Sequence, residues 1–134
     1  MVMRAVLWVS AFAAIVAAAT AWAAEDPLQK PLHEACLAND AGWIGKSQKE
    51  IDTNCTCKAK TEAGLASADF REAILKKSVY DSGVFPFGDT NAYMKKVLTD
   101  CPQLRQRMVD AMCHDPAAPP DACAAVKDMV SKLK

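Results

Sequence analysis

Cysteines are the residues of this chain that are best able to do chemistry. All six lie downstream of an apolar N-terminal segment, at Cys36, Cys55, Cys57, Cys101, Cys113 and Cys123. An even number of cysteines in a short exported chain predicts a disulfide framework, because an oxidising compartment keeps thiols paired. We therefore expect these cysteines to stabilise the fold, and we assign no catalytic residue.

Helical geometry limits how the cysteines pair. Cys55 and Cys57 are two positions apart, so on a continuous helix they point about 200° away from each other and should reach different partners. Cys36 and Cys101 are the expected partners, although the sequence does not fix which pairs with which. The last two cysteines of the chain flank a proline-rich turn, and a helical hairpin through that turn predicts a bond between them.

The alternative hypothesis is a thiol-disulfide redox protein that uses Cys55 and Cys57 as its reactive pair. A Cys-x-Cys disulfide is strained and therefore more oxidising than an ordinary structural bond. Lys58 and Lys60 supply basic neighbours that favour a thiolate. The Cys-x-x-Cys motif at the start of a helix, which is usual for such enzymes, is missing.

Metal, cofactor and hydrolytic sites have little support in the sequence. The two histidines, His33 and His114, lie in no repeated Cys and His spacing of the kind that binds zinc. Methionines at helical spacing are interpreted as core residues rather than as a soft-metal site. No glycine-framed nucleophile is present. We expect no metal and no cofactor, and the sequence favours a protein without enzymatic activity over an enzyme.

The N-terminal segment has the pattern of a secretory signal peptide. A short basic start precedes an apolar run rich in alanine, and Ala21-Trp22-Ala23 forms a small-residue cleavage signal. We predict a signal peptide at 1–23, with cleavage after Ala24 as the alternative, and a single domain at 24–134. An uncleaved membrane anchor is the competing interpretation. The alanine-rich leader resembles bacterial ones, so we expect a periplasmic or secreted protein.

Charge narrows the choice of partner. The full chain has a formal net charge of zero, and cleavage would remove Arg4 and leave a net charge of −1. Nucleic acids and anionic membranes attract clustered positive charge, which this balance does not provide. We expect an unknown protein partner or a small apolar ligand, no nucleic acid, and no membrane span after cleavage.

Apolar residues recur at spacings of three and four, and no strand-like alternation is seen, so we predict an all-α bundle of about five to six short helices stapled by disulfides. The expected helices run from Pro27 or Pro31 to Asn39, from Ser47 to Gly64, from Ser67 to the break at Asp81-Ser82-Gly83, from Asp89 or Thr90 to Asp100, from Pro102 to Cys113, and from Asp121 to Leu133.

One loop is unusually apolar for a connection between helices. The segment 82–88 contains Phe85 and Phe87 between two glycines. Its simplest interpretation is that both rings fold back over the core. The functional interpretation is that they line a ligand pocket or dock a partner, together with Trp43 and Met112, because aromatic side chains are frequent anchors in such contacts.

A signal peptide followed by six cysteines and about six helices resembles the layout of the insect odorant-binding proteins, which carry small apolar ligands. The resemblance implies a helical carrier. The chain departs from that family in its cysteine spacing, with one residue between Cys55 and Cys57 and nine between Cys113 and Cys123. We therefore assign the chain to no family and transfer no site residue.

Overall fold

The computed structural model describes residues 25–134. The predicted signal peptide and its cleavage point at Ala23 or Ala24 lie outside the described residues. The helices of the described part are α1 (Gln29–Asn39), α2 (Ala41–Ile44), α3 (Gln48–Leu65), α4 (Ala68–Leu75), α5 (Thr90–Asp100), α6 (Leu104–His114) and α7 (Ala122–Ser131). Residues 25–134 contain no strand, which confirms the all-α prediction.

Three helix starts follow from local capping chemistry and were predicted correctly. The hydroxyl of Ser47 accepts a hydrogen bond from the backbone N–H of Glu50, and the Glu50 carboxylate accepts one from the backbone N–H of Lys46. Ser67 and Asp89 cap α4 and α5 through the same kind of side-chain contact. These contacts satisfy N–H groups that have no partner inside the helix.

Other boundaries differ from the prediction. The helix expected to stop at Gly64 continues to Leu65, since a helical glycine costs only about 1 kcal/mol relative to alanine. The next helix ends at Leu75, well before the predicted break, and Lys77 beyond it has a positive φ of 54°. The short helix α2 was not predicted, because four residues are too few to show an apolar periodicity.

Two buried clusters form the interior. The larger one joins α1, α2, α3 and α5 to α6 and α7, and contains Cys36, Ile44, Cys55, Val97, Leu98, Cys101, Leu104, Met108 and Val126. The smaller one lies between α1 and α3, and contains Leu28, Leu32, Ala59 and Ala63. Phe70, Ile74 and Phe87 pack against the smaller cluster from α4 and the loop that follows it. That loop thus comes to lie beside the α1 and α3 pair.

Three disulfides link the helices. The structure pairs the cysteines as Cys36–Cys55, Cys57–Cys101 and Cys113–Cys123. The disulfide-stapled helical fold is therefore confirmed, and the bonds indicate an oxidising environment outside the cytoplasm. Within residues 25–134, no helix combines the length and the apolarity that a membrane crossing requires.

Candidate functional site

The Cys-x-Cys segment does not form the reactive pair of the redox hypothesis. Cys55 is fully buried and bonded to Cys36, whereas Cys57 is bonded to Cys101. The two side chains reach opposite partners, as expected for residues two apart on a helix. No cysteine of the described residues is free. The structure therefore offers no disulfide between Cys55 and Cys57 and no thiol in this segment.

The four predicted ligand-binding residues fall into two separate places. Phe85 and Phe87 lie together, with ring centroids 5.5 Å apart in an edge-to-face arrangement. Trp43 and Met112 line one groove of about 470 Å³ between α2 and α6. A single pocket containing all four side chains is not formed.

The loop after α4 presents its aromatic rings to α5. Phe87 stacks on Tyr93 with a centroid distance of 5.4 Å and an interplanar angle of 16°. Phe85 meets the same Tyr93 ring edge to face at 5.1 Å, and Phe70 of α4 meets Phe87 at 5.3 Å. Edge-to-face and offset-stacked geometries are the favourable ones for aromatic pairs. Phe87 is half-buried, whereas Phe85 remains 39% exposed.

Backbone hydrogen bonds hold this loop in place. The carbonyl of Pro86 accepts from the backbone N–H of Ser67 at 2.8 Å, which ties the loop to the start of α4. The Tyr80 hydroxyl donates to the carbonyl of Val84 at 2.9 Å. Gly88 has a φ of 87°, a conformation that suits glycine because it lacks a Cβ atom, and it turns the chain into the cap of α5.

A buried group of charges lies next to the aromatic rings. The Lys58 ammonium contacts Asp40 Oδ2 at 3.2 Å and also binds Glu62 Oε1. The Tyr93 hydroxyl donates to the same Glu62 Oε1 at 2.6 Å. Glu62 is only 4% exposed. Burial of this kind requires partners, and the structure supplies them.

These contacts fix the protonation of two groups. Burial lowers the pKa of Lys58, but the carboxylates of Glu62 and Asp40 together outweigh it, so the pKa lies above its ordinary value. Burial, together with the negative charges of Glu62 and Asp40, raises the pKa of Tyr93 far above the ordinary tyrosine value. At neutral pH, Lys58 is therefore an ammonium and Tyr93 a neutral phenol.

The aromatic rings and the charges line an open cavity of about 250 Å³ between α1, α3 and the loop after α4, which we call the α1/α3 cleft. Its apolar wall consists of Leu32 and Ala35 from α1 and of Phe70, Phe87 and Tyr93. Its polar wall consists of Asp40, Lys58 and Glu62, which are charged, and of Asn39. An apolar cavity with a few polar groups at one side is the general form of a small-molecule site.

Trp43 is connected to the α1/α3 cleft without lining it. Its indole Nε1–H donates to Asp40 Oδ1 at 3.1 Å, while the other oxygen of Asp40 contacts Lys58. Polar contacts thus run from Trp43 through Asp40 and Lys58 to Glu62. The groove that Trp43 shares with Met112 has no lining residue in common with the cleft.

Sequence reasoning found Phe87 but missed the polar wall of the cleft. Lys58 and Glu62 are four residues apart, a spacing that usually denotes an exposed ion pair. Tyr93 lies within the helix that was predicted from Asp89 or Thr90 to Asp100, but it was not proposed as a binding residue. Asp40 was assigned to a helix end, and nothing in the sequence indicates that it meets Lys58.

Comparison of the chain with protein-family models, curated proteins and solved structures finds no match. Function is therefore argued from the geometry of this molecule.

Proposed function

We propose that this protein is an exported, non-catalytic binding protein, periplasmic or secreted, that carries a small apolar ligand in the α1/α3 cleft. The observation that carries the proposal is the apolar wall of Phe70, Phe87 and Tyr93 around an open cavity. These rings make one side of the cavity apolar. The Tyr93 hydroxyl also donates a hydrogen bond to Glu62 of the polar wall. A ligand with an aromatic body would replace water against these rings.

The size of the cleft supports a small ligand. Its volume of about 250 Å³ lies just below the range of about 300 to 1,000 Å³ that is typical of ligand pockets. A long lipid chain would extend beyond it. We therefore expect a ligand of no more than a few rings.

Disulfides support a preformed site. The Cys36–Cys55 bond joins α1 to α3 directly, and both helices line the cleft. The loop that carries Phe87 is held by a backbone hydrogen bond between Ser67 and Pro86. A site that is already ordered loses less conformational entropy on binding, which favours affinity for a small molecule.

The protonation of the polar wall supports binding rather than catalysis. A lysine nucleophile or base must lose its proton, and the raised pKa of Lys58 opposes that at neutral pH. Tyr93 likewise keeps its proton and donates a hydrogen bond to Glu62. The groups therefore act as a fixed polar surface.

A fluorescence titration with N-phenyl-1-naphthylamine tests the proposal. This probe is uncharged at neutral pH and becomes fluorescent when it enters an apolar site. The variant Ala35→Phe places a ring in the mouth of the cleft from an exposed position of α1. Ala38→Phe is the matched control, because Ala38 is exposed on the same helix and does not line the cleft.

We expect saturable binding to the native protein and to Ala38→Phe, and at least about tenfold weaker binding to Ala35→Phe, equivalent to about 1.4 kcal/mol. Equal binding to both variants would place the ligand elsewhere, and an absence of saturable binding to the native protein would refute the proposal. The export part of the proposal is tested by the intact mass of the exported protein, which should correspond to cleavage after Ala23.

A further inference from the structure

We infer that the α1/α3 cleft selects ligands that carry a protonated amine on an aromatic body and rejects the matching carboxylates. This inference rests on the proposed function and adds the chemical class of the ligand. It follows from three features of the cleft: the net charge of the polar wall, an oxygen of Glu62 that can accept another hydrogen bond, and the aromatic rings of the apolar wall.

The charge balance of the polar wall is negative. Two carboxylates, Asp40 and Glu62, face a single ammonium, Lys58, so the wall carries a formal charge of −1 at neutral pH. Both carboxylates contact the same ammonium, which is only 15% exposed. Lys58 is thus engaged on two sides and does not offer a free positive charge to a carboxylate ligand. An incoming cation gains from the excess negative charge, and an anion is repelled by it.

Glu62 retains capacity to accept a hydrogen bond. Its Oε1 receives both Lys58 and the Tyr93 hydroxyl, whereas no hydrogen bond among the described residues reaches its Oε2. This carboxylate lines the cavity and its side chain is only 5% exposed. A charge-assisted hydrogen bond from a ligand ammonium to a buried carboxylate is about twice as strong as a neutral one. Glu62 Oε2 is therefore the acceptor we assign to the ligand amine.

Aromatic faces complete the recognition of a cation. Phe70, Phe87 and Tyr93 all line the cavity that Glu62 borders. A ring face attracts a cation that lies within about 6 Å of its centroid. The same rings provide apolar contact for the aromatic body of the ligand. The cleft thus offers a place for both halves of an arylalkylamine.

Three probes of similar shape test this inference. Chemical-shift titrations of the native protein should compare 2-phenylethylamine, 2-phenylethanol and 3-phenylpropanoate, which are cationic, neutral and anionic at neutral pH. We expect the amine to bind at least about tenfold more tightly than the carboxylate, with the alcohol between them. The shifts should include residues that line the cleft.

Two variants test whether the polar wall causes the preference. Glu62→Gln keeps an acceptor for the Tyr93 hydroxyl but brings the formal charge of the wall to zero. Asp40→Asn does the same and keeps an acceptor for Trp43, which provides a second route if one variant folds poorly. Glu72→Gln is the control, because it neutralises an exposed carboxylate outside the cleft. The amine preference should shrink at least about threefold in either cleft variant and stay unchanged in the control.

The outcomes distinguish failure of the charge selectivity from failure of the carrier proposal. If the alcohol binds in the cleft but the amine binds no better than the carboxylate, or if both cleft variants keep the full preference, the charge selectivity is wrong and the carrier proposal stands. If none of the three probes binds and N-phenyl-1-naphthylamine also fails to bind, both are wrong.

Discussion

Removal of the Cys57–Cys101 disulfide should destabilise the protein more than removal of Cys113–Cys123. The two bonds close loops with sequence separations of 44 and 10 residues. In the chain-entropy model the corresponding losses are about 4.0 and about 2.7 kcal/mol at 25 °C. Cys101 is also fully buried, so alanine would leave unfilled space there, whereas Cys113 and Cys123 are partly exposed. The difference should therefore be at least about 1.3 kcal/mol.

Paired alanine variants provide the measurement. Urea unfolding of Cys57→Ala/Cys101→Ala and Cys113→Ala/Cys123→Ala should be followed by far-UV circular dichroism without reductant, with the slope fitted for each variant because a lost cross-link changes the unfolded chain. The third bond, Cys36–Cys55, has a separation of 19 residues and should fall between them at about 3.2 kcal/mol. An equal or larger loss at the bond between α6 and α7 would refute the reasoning.

Three further predictions concern single side chains. Tyr93→Phe removes the hydroxyl that donates a hydrogen bond to Glu62, and it should lower the free energy of unfolding by about 1.5 to 3 kcal/mol in urea titrations. A loss of less than about 0.5 kcal/mol would contradict this prediction. Folding raises the pKa of Tyr93, so the neutral phenol adds stability at pH values below about 10, and this contribution is lost as the pH rises further. The free energy of unfolding should therefore fall more steeply with rising pH in the native protein than in Tyr93→Phe. Gly45→Ala should lower the melting temperature, because a Cβ at this position would lie 2.7 Å from the backbone nitrogen of Ile51. In the control Gly42→Ala, the added Cβ meets nothing within 4 Å, so the melting temperature should stay the same or rise.

Local chemistry explains which parts of the fold were predictable. The starts of α3, α4 and α5 follow from Ser47, Ser67 and Asp89, because a capping side chain acts on N–H groups two or three residues away. The separation of Cys55 from Cys57 follows from helical geometry in the same way. The end of α4 was not predictable, because the residue that takes the positive φ in its C-terminal cap is Lys77 rather than the usual glycine. The cap itself is local: the backbone N–H groups of Lys77 and Ser78 donate to the carbonyls of Ile74 and Ala73.

Long-range contacts explain what the sequence does not reveal about the cleft. The Lys58 and Glu62 pair is ordinary in sequence, and it becomes a buried group only because Asp40 and Tyr93 approach from other elements. The same holds for the aromatic loop: Phe87 was identified by composition, but its stacking on Tyr93 depends on how the loop returns to α5. Such contacts join residues far apart in the chain, and periodicity reports only on neighbours.

Intermolecular nuclear Overhauser effects between N-phenyl-1-naphthylamine and the protein test the central claim most directly, because they identify the side chains that touch the ligand. The carrier proposal predicts contacts from the probe to the ring protons of Phe70, Phe87 and Tyr93, which line the α1/α3 cleft. Contacts to the Trp43 indole and the Met112 methyl group instead would move the site to the groove against α6 and contradict the proposal.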